Sequence, residues 1–476
     1  MEHERPNPAL TLALCAGYFL VLLDVTVVNV ALPSIGAGLH ASGPGLAWVV
    51  DAYSVPLASL LLASGAIGDS LGHRRVVVTG FLGFGAASVL CALAPGTTVL
   101  IAGRALQGLC AALMLPGTLA LLAASAPDDH ARARAVGLWA AVGGAALPAG
   151  PFLGGVLVEA AGWRTVFWLN VPVIIAAVVP VVRQATGTSR RQTGTGEQRR
   201  PAERVDWAGV DWAGAAALVA MLGSAVTAVI QAAASPRLSI AMAALTVVAC
   251  VTFWRIERAA ARPLLRVPAP ARRQLATASA VAGLMNLCSL GALFLLTQVF
   301  QDAHRLSPLA AGLLLLPAML PLPLLGTTAG RLTGRIGPWR ASALGLAVAA
   351  AGLAGVAASI GGPVYPALLP SLALWGAGLG ILGPAVVTAA LQATPGAPGT
   401  ASGASNTARQ AGGALGVAAF AALAGNASAS TFVQHTSWLL TGAAAAFTVA
   451  ALSCLRRPAV ANTTSSVPRP ASHQRA

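Results

Sequence analysis

Long apolar runs dominate the chain, and its polar residues gather in short clusters between them. A helix needs about 20 apolar residues to cross the hydrocarbon core of a bilayer. Fourteen runs of that order can be drawn, at roughly 10–32, 45–66, 76–94, 98–124, 134–158, 165–183, 207–231, 237–255, 274–300, 308–328, 340–359, 364–391, 400–425 and 436–455. Short connections make neighbouring runs antiparallel. Many runs contain Gly and Pro, which membrane helices tolerate better than soluble ones. The pattern predicts an all-α polytopic membrane protein.

The polar clusters supply an orientation. All 29 basic residues are Arg. With the N-terminus placed inside, the inner connections and tails hold 24 of them and the outer connections three, Arg164, Arg237 and Arg305; Arg104 and Arg409 lie within runs. This is a strong positive-inside bias, and it predicts cytoplasmic N- and C-termini. It also accounts for the net charge of +15 without a nucleic-acid partner. The stretch from Arg183 to Arg204 is polar, basic and rich in Gly and Thr, and it reads as a disordered cytoplasmic linker, as does the tail after Arg457.

Composition narrows the function by exclusion. Hydrophobic residues make up 56% of the chain, charged residues 9%, and the mean hydropathy is +0.75. No soluble domain of this size has such a composition. The absence of Lys excludes a lysine-bearing phosphate loop and Schiff-base chemistry. The six cysteines fall in apolar runs without a CxxC pair, so neither zinc nor a disulfide framework is indicated. The seven histidines read as lying in connections or tails, which disfavours an intramembrane metalloprotease or Ser–His hydrolase. No enzymatic activity, metal or cofactor is expected. The first run continues through Asp24 without an A-x-A site, so it is not a cleaved signal.

An internal repeat divides the chain. Gly65 to Arg75 (GAIGDSLGHRR) aligns without gaps with Gly330 to Arg340 (GRLTGRIGPWR), each following the second run of a six-run set. Duplicated transporter halves place a repeat there. The expected organisation is an N-terminal six-helix bundle (1–183), a basic linker (184–206), two inserted helices (207–255), a connection (256–273), a C-terminal six-helix bundle (274–457) and a tail (458–476). A local duplication, Val205–Gly209 and Val210–Gly214 (both VDWAG), opens the seventh run and reads as an interfacial Trp anchor with helix N-terminal acids.

Four motifs carry candidate chemistry. The first is LDVTVVNVALP, Leu23 to Pro33, with Asp24 inside the apolar run. An ionised Asp at the centre of a membrane helix costs about 2.5–3.5 kcal/mol, so it persists where it faces a cavity or a partner. A polar residue satisfied in helix packing is the plainer alternative. The second is the loop Gly65 to Arg75, with Gly65, Asp69, Gly72, Arg74 and Arg75; the plainer alternative is a basic turn that fixes topology. The third is Arg104-Ala-Leu-Gln107-Gly108, whose deep Arg requires a partner or an aqueous cavity. The fourth is Gly150-Pro151-Phe-Leu-Gly154-Gly155. There Gly150 and Gly154 share a helix face, and Pro148 and Pro151 should bend the helix. Small-residue packing alone is the competing reading.

Together with Ala401 to Gly413 (ASGASNTARQAGG), these motifs resemble the fourteen-helix drug:proton antiporter branch of the major facilitator superfamily over essentially the whole chain. Ser70 and His73 depart from the family's loop pattern, and Ala146 stands where its antiporter motif usually has Gly. The resemblance implies two six-helix bundles plus two inserted helices, and export of a small organic drug or antibiotic-like molecule in exchange for protons by alternating access. It implies a bacterial plasma membrane, a monomer, and a proton gradient in place of any cofactor. It assigns a conformational latch to the Asp69 loop and a hinge and contact surface to Pro148, Gly150, Pro151, Gly154 and Gly155. Asn29, Gln107, Arg409 and Gln410 are cavity candidates. The tenth run has no acid, where some relatives carry one used for divalent cations, which argues against divalent drugs. An importer or uniporter of the same fold, and a membrane sensor or scaffold, are the alternatives.

Depth arithmetic connects Asp24 with Arg104. At 1.5 Å per residue, Asp24 lies roughly 21 Å from the inner edge and Arg104 about 9 Å from the outer edge, a shared depth in a core ~30 Å thick. Asp51 reaches the same layer. Burial favours a neutral acid and an approaching Arg favours the carboxylate, so a state-dependent distance between them would load and release a proton. Asp24 is the first candidate for the carrier. Asp51 is the second, and it could instead meet a cationic substrate.

Overall fold

The computed structural model describes residues 8–41, 43–126, 128–191, 211–232, 234–259, 269–362, 365–394 and 398–456. Sixteen α-helices account for nearly all of them. In the first half they are α1 (Pro8–Leu39), α2 (Gly43–Leu71), α3 (His73–Ala92), α4 (Thr97–Ala124), α5 (Asp129–Ala161), α6 (Arg164–Trp168) and α7 (Asn170–Arg191). Two more, α8 (Trp212–Ile230) and α9 (Pro236–Ala259), stand between the halves. The second half holds α10 (Ala269–Gln298), α11 (Pro308–Met319), α12 (Pro321–Ile336), α13 (Pro338–Ser359), α14 (Tyr365–Ala393), α15 (Pro398–Ala424) and α16 (Phe432–Leu455). A π-helical turn, Val299–Ala303, extends α10.

Thirteen segments among the described residues are long and apolar enough to cross a membrane. Two of them combine short helices: α6 with α7, broken at Leu169, and α11 with α12, broken at Leu320. Each break precedes a proline by one to three residues (Pro172 and Pro321), whose missing N–H interrupts the helical ladder. The fourteenth expected span, α15, is a 27-residue helix outside that set. Its Ser402, Ser405, Asn406, Thr407, Arg409 and Gln410 lower its hydropathy, and it is housed against α10 and α2.

Local signals fix the helix starts. Asp128 caps α5 by accepting from Ala131 N at 2.6 Å, and Asp211 caps α8 by accepting from Gly214 N at 2.8 Å. Ser307 caps α11 ahead of Pro308. Asp211 belongs to the second VDWAG copy; the first lies outside the described residues. The expected linker start needs correction: α7 continues through residues 184–191, and the remainder of the linker, like the tail, lies outside the described residues. Three histidines read as loop residues also need correction. His73, His130 and His435 sit in the first turns of α3, α5 and α16.

The two halves repeat each other in their packing. α1 lies on α5 and α10 on α15; α3 lies on α4 and α13 on α14. The repeated loop is repeated in conformation as well. Gly72 alone separates α2 from α3 at φ 87°, and Gly337 alone separates α12 from α13 at φ 85°. A side chain is strained at that φ, which explains the glycine in both copies. Across the halves α2 meets α15 and α5 meets α11, two contacts exchanged by the same repeat. The α8 helix rests on both α2 and α15, whereas α9 rests on α8 and buries Ala249 alone.

Candidate functional site

The first half holds a polar cluster in its apolar interior. The α1 helix carries Asp24 into the space between α2, α3, α4 and α7, where it is fully buried. Arg104 of α4, 1% exposed, forms an ion pair with Asp24 Oδ2 through Nη1. The same Nη1 donates to Gln107 Oε1 at 2.9 Å, and Arg104 Nε donates to Val49 O at 3.0 Å. The Tyr53 ring lies 4.4 Å below the guanidinium carbon, and the Tyr53 hydroxyl donates to Val21 O at 2.9 Å. Gln107 Nε2 donates to Ser88 Oγ at 2.8 Å. Asn170 Nδ2 reaches Ser88 Oγ at 3.2 Å and Asp24 Oδ1 at 3.5 Å. Charge, aromatic face and hydrogen bonds thus satisfy one another away from water, the condition under which a buried pair can persist. Chemically, the cluster offers one buried carboxylate paired with one arginine.

Sequence reasoning brought Asp24, Arg104 and Gln107 together but missed Ser88, Asn170 and Tyr53. Asp51 does not join them. It is fully buried on α2, and neither carboxylate oxygen has a hydrogen-bond partner. Asn29 donates to Val25 O at 2.6 Å and leaves Oδ1 buried without a partner.

The latch-loop residues lie at the end of the bundle that carries Arg74, Arg75, Arg335 and Arg340, called here the basic end. Arg74 donates to Val181 O at 2.9 Å and Val182 O at 2.8 Å, tying α3 to α7. Asp69 is 78% exposed and pairs with His73 at 3.1 Å within its own half. Arg75 is exposed, and Gly65 has open space at its Cβ position.

The Gly150 segment faces two ways. A Cβ on Gly150 would collide with Thr26, and one on Gly154 would stand 3.0 Å from Val27 O, so both glycines seat α5 on α1. A Cβ on Gly155 would stand 2.7 Å from Leu309 Cα, and the Pro151 carbonyl fills the Cβ position of Gly312. These two contacts join the halves backbone to backbone. The helix runs unbroken through Pro148 and Pro151. Nearby, Glu159 Oε2 accepts from Leu309 N at 3.1 Å at the start of α11, and Gln301 Nε2 donates to Val30 O at 2.8 Å. Both bonds cross between halves toward the end opposite the basic one.

In the second half Arg409 of α15 has a buried Nε with no hydrogen-bond partner. Its guanidinium lies within electrostatic reach of the Tyr18 phenol of α1. Gln410 is part-buried beside it. The largest of the described cavities, about 780 Å³, is an apolar groove between α13 and α16 lined by Ala343, Ala347, Ala350 and Leu452; it touches none of these residues.

Comparison with known proteins gives a consistent picture. The sequence profile of the Major Facilitator Superfamily matches residues 14–417. A methylenomycin A resistance protein of Bacillus subtilis is 38% identical over 317 residues, 65% of this chain and 64% of that protein. The drug efflux pump JefA of Mycobacterium tuberculosis is 35% identical over 380 residues, 79% of this chain and 72% of the pump. The tetracenomycin C resistance and export protein of Streptomyces glaucescens is 32% identical, over 74% of this chain and 63% of that protein. The alignments with the first and third of these thus span less than two thirds of each relative's length. Among solved structures, a peptide transporter in complex with sulfate superposes with a TM-score of 0.65 at 17% identity, over 96% of this chain and 95% of that one. The human organic anion transporter MFSD10 does so with 0.63 at 16%, over 95% and 100%. At those identities the likeness is one of fold.

Proposed function

The chain belongs to the Major Facilitator Superfamily, and on that premise we propose that it exports a small organic molecule of drug or antibiotic type across a bacterial plasma membrane in exchange for protons. The observation that carries the proposal is the Asp24–Arg104 pair, a buried carboxylate held by one arginine inside the first half. Protonation of Asp24 releases Arg104, and approach of Arg104 expels the proton, so the pair exchanges a proton for a rearrangement of α1 against α4. One proton driven by 100 mV and one pH unit supplies about 3.7 kcal/mol, enough to hold a neutral substrate at a gradient of roughly five-hundred-fold. The relatives' being resistance and efflux proteins supports export over import.

Alternating access between the halves completes the reading. The basic end faces the cytoplasm, following the arginine bias. Glu159 and Gln301 hold the halves together at the opposite end, while Asp69 at the basic end pairs with His73 of its own half and with no residue of the other among the described residues. That combination suits a state closed outside and open to the cytoplasm, in which Asp69 is a latch not yet made.

The test uses the full chain in energised inverted vesicles. Asp24→Asn abolishes uphill efflux and the substrate-induced proton release, and Asp24→Glu retains part of both. Full proton-coupled efflux by Asp24→Asn moves the carrier elsewhere, with Asp51 the next position.

A further inference from the structure

We propose that Arg409, together with Tyr18 and Trp139 across the interface of the halves, forms the recognition site for a planar organic anion, a carboxylate or enolate carried on a flat ring. The inference rests on the export reading and names the chemical class of its cargo.

The donors around this site lack acceptors. Arg409 Nε is buried and makes no hydrogen bond. Ser405, one helical turn away on the same face of α15, has a buried hydroxyl without a partner, and so has Thr407. Trp139 of α5 is 9% exposed, and its indole Nε1 is likewise buried and unpaired. A guanidinium and an indole N–H can only donate. No carboxylate among the described residues pairs with Arg409. The acidic residue within the second half's described helices is Asp302, in the π-helical turn beyond α10, toward the other end of the bundle. A part-buried cation whose Nε has no acceptor lacks an oxyanion, and Arg binds a carboxylate through two parallel hydrogen bonds.

The flat surface beside it is built into the helices. The Tyr18 ring stacks on Trp139 with centroids 3.6 Å apart and planes 6° from parallel. Gly143, one turn beyond Trp139 on α5, makes room for that ring, since a Cβ there would collide with it. Tyr18 therefore lies flat against α5, with Arg409 within electrostatic reach of its phenol. One half supplies the aromatic surface and the other the charge. A ligand touching both is held at the interface that alternating access would rearrange. The other arginine deep in the helices is fully partnered: Arg104 has an acid, an amide, a carbonyl and an aromatic ring around it.

Purified full-length protein in lipid nanodiscs is titrated with 2-naphthoate and with 2-naphthamide, which share a ring and differ in charge. The wild type binds the naphthoate at least tenfold more tightly. Arg409→Gln brings the two affinities within twofold of each other. Arg409→Lys, a charge without the two-pronged geometry, weakens the naphthoate several-fold and leaves the amide unchanged. Trp139→Leu weakens both. Equal affinities in the wild type, or a preference that survives Arg409→Gln, overturn the proposal. Should Arg409→Gln fail to fold, Arg409→Lys decides: equal weakening of both probes overturns the site. Proton-driven efflux of either probe from inverted vesicles is scored separately. Loss of efflux for both removes the export reading, while the naphthoate preference in nanodiscs stands or falls by itself.

Discussion

Each half of the molecule sets one arginine deep within its helices, Arg104 fully buried and Arg409 partly so, and the two have opposite surroundings. Arg104 in the first half meets Asp24, Gln107, the Val49 carbonyl and the Tyr53 ring. Arg409 in the second half has no acid beside it and a bare Nε. The loops differ in the same sense, because Gly334 stands in the second copy where Asp69 stands in the first. The fully buried acids among the described residues, Asp24 and Asp51, lie in the first half, and the second presents donors. The first half is therefore suited to handling protons internally and the second to meeting something from outside. An anionic cargo also changes the energetics. Exchanging one anion for one proton moves two charges, worth about 6 kcal/mol at 100 mV and one pH unit, against about 3.7 for a neutral cargo.

The contrast is most directly broken at the arginines themselves. Arg104→Leu leaves Asp24, Gln107 and the Val49 carbonyl without their donor, and a broken buried pair costs about 3–5 kcal/mol. The unfolding midpoint of the purified protein should fall accordingly. Arg409→Leu removes a part-buried cation with no acid partner among the described residues, so its midpoint should stay level or rise. Equal losses would erase the distinction between the two sites. Next is the acid confined to one loop. Asp69→Asn should leave the amount of protein in the membrane unchanged, since the side chain is exposed, yet reduce efflux at least tenfold; near-normal efflux would leave the loop a topology signal. A third experiment makes Arg409 resemble Arg104. Tyr18→Glu gives it an acid across the interface, and naphthoate binding should drop about tenfold toward the affinity of the amide. The smallest effect concerns the support of Asp24. Asn170→Ala removes the long hydrogen bond to Asp24, worth about 0.5–1.5 kcal/mol, together with the one to Ser88. Proton-coupled efflux should fall about two- to tenfold while downhill flux is retained.

The sequence made depth legible and left azimuth hidden. Asp24 and Arg104 could be matched because the ends of both spans were visible and a helix rises by a fixed step per residue. Asp51 satisfied the same arithmetic yet stands apart. It lies two residues from Tyr53, about 200° around the helix, and Tyr53 is the one that faces α1 and Arg104. Rotation about the helix axis is set by packing, to which nearly uniform hydrophobicity gives little clue. Ser88 and Asn170 were missed for a related reason, as isolated polar residues in apolar runs with no spacing to mark them. Trp139 and Tyr18 carry no spacing signal within their apolar runs, and only the fold stacks them. The repeat, by contrast, was legible in full, because its glycines answer to a backbone angle and need no tertiary partner. The α15 helix was read as a span from its place in the repeat, although its polar residues lower its hydropathy.

The lopsided seating of the inserted hairpin has a practical side. Five of the six cysteines are buried, and the sixth, Cys250, is exposed on α9, whose outer faces touch no other part of the protein. A membrane-permeant thiol reagent should therefore attach at one position in the wild-type chain. A spin label or fluorophore placed there would ride on α8, which leans on both halves at once. It would report whether the hairpin follows the first half, the second, or neither through a transport cycle, without a single engineered residue.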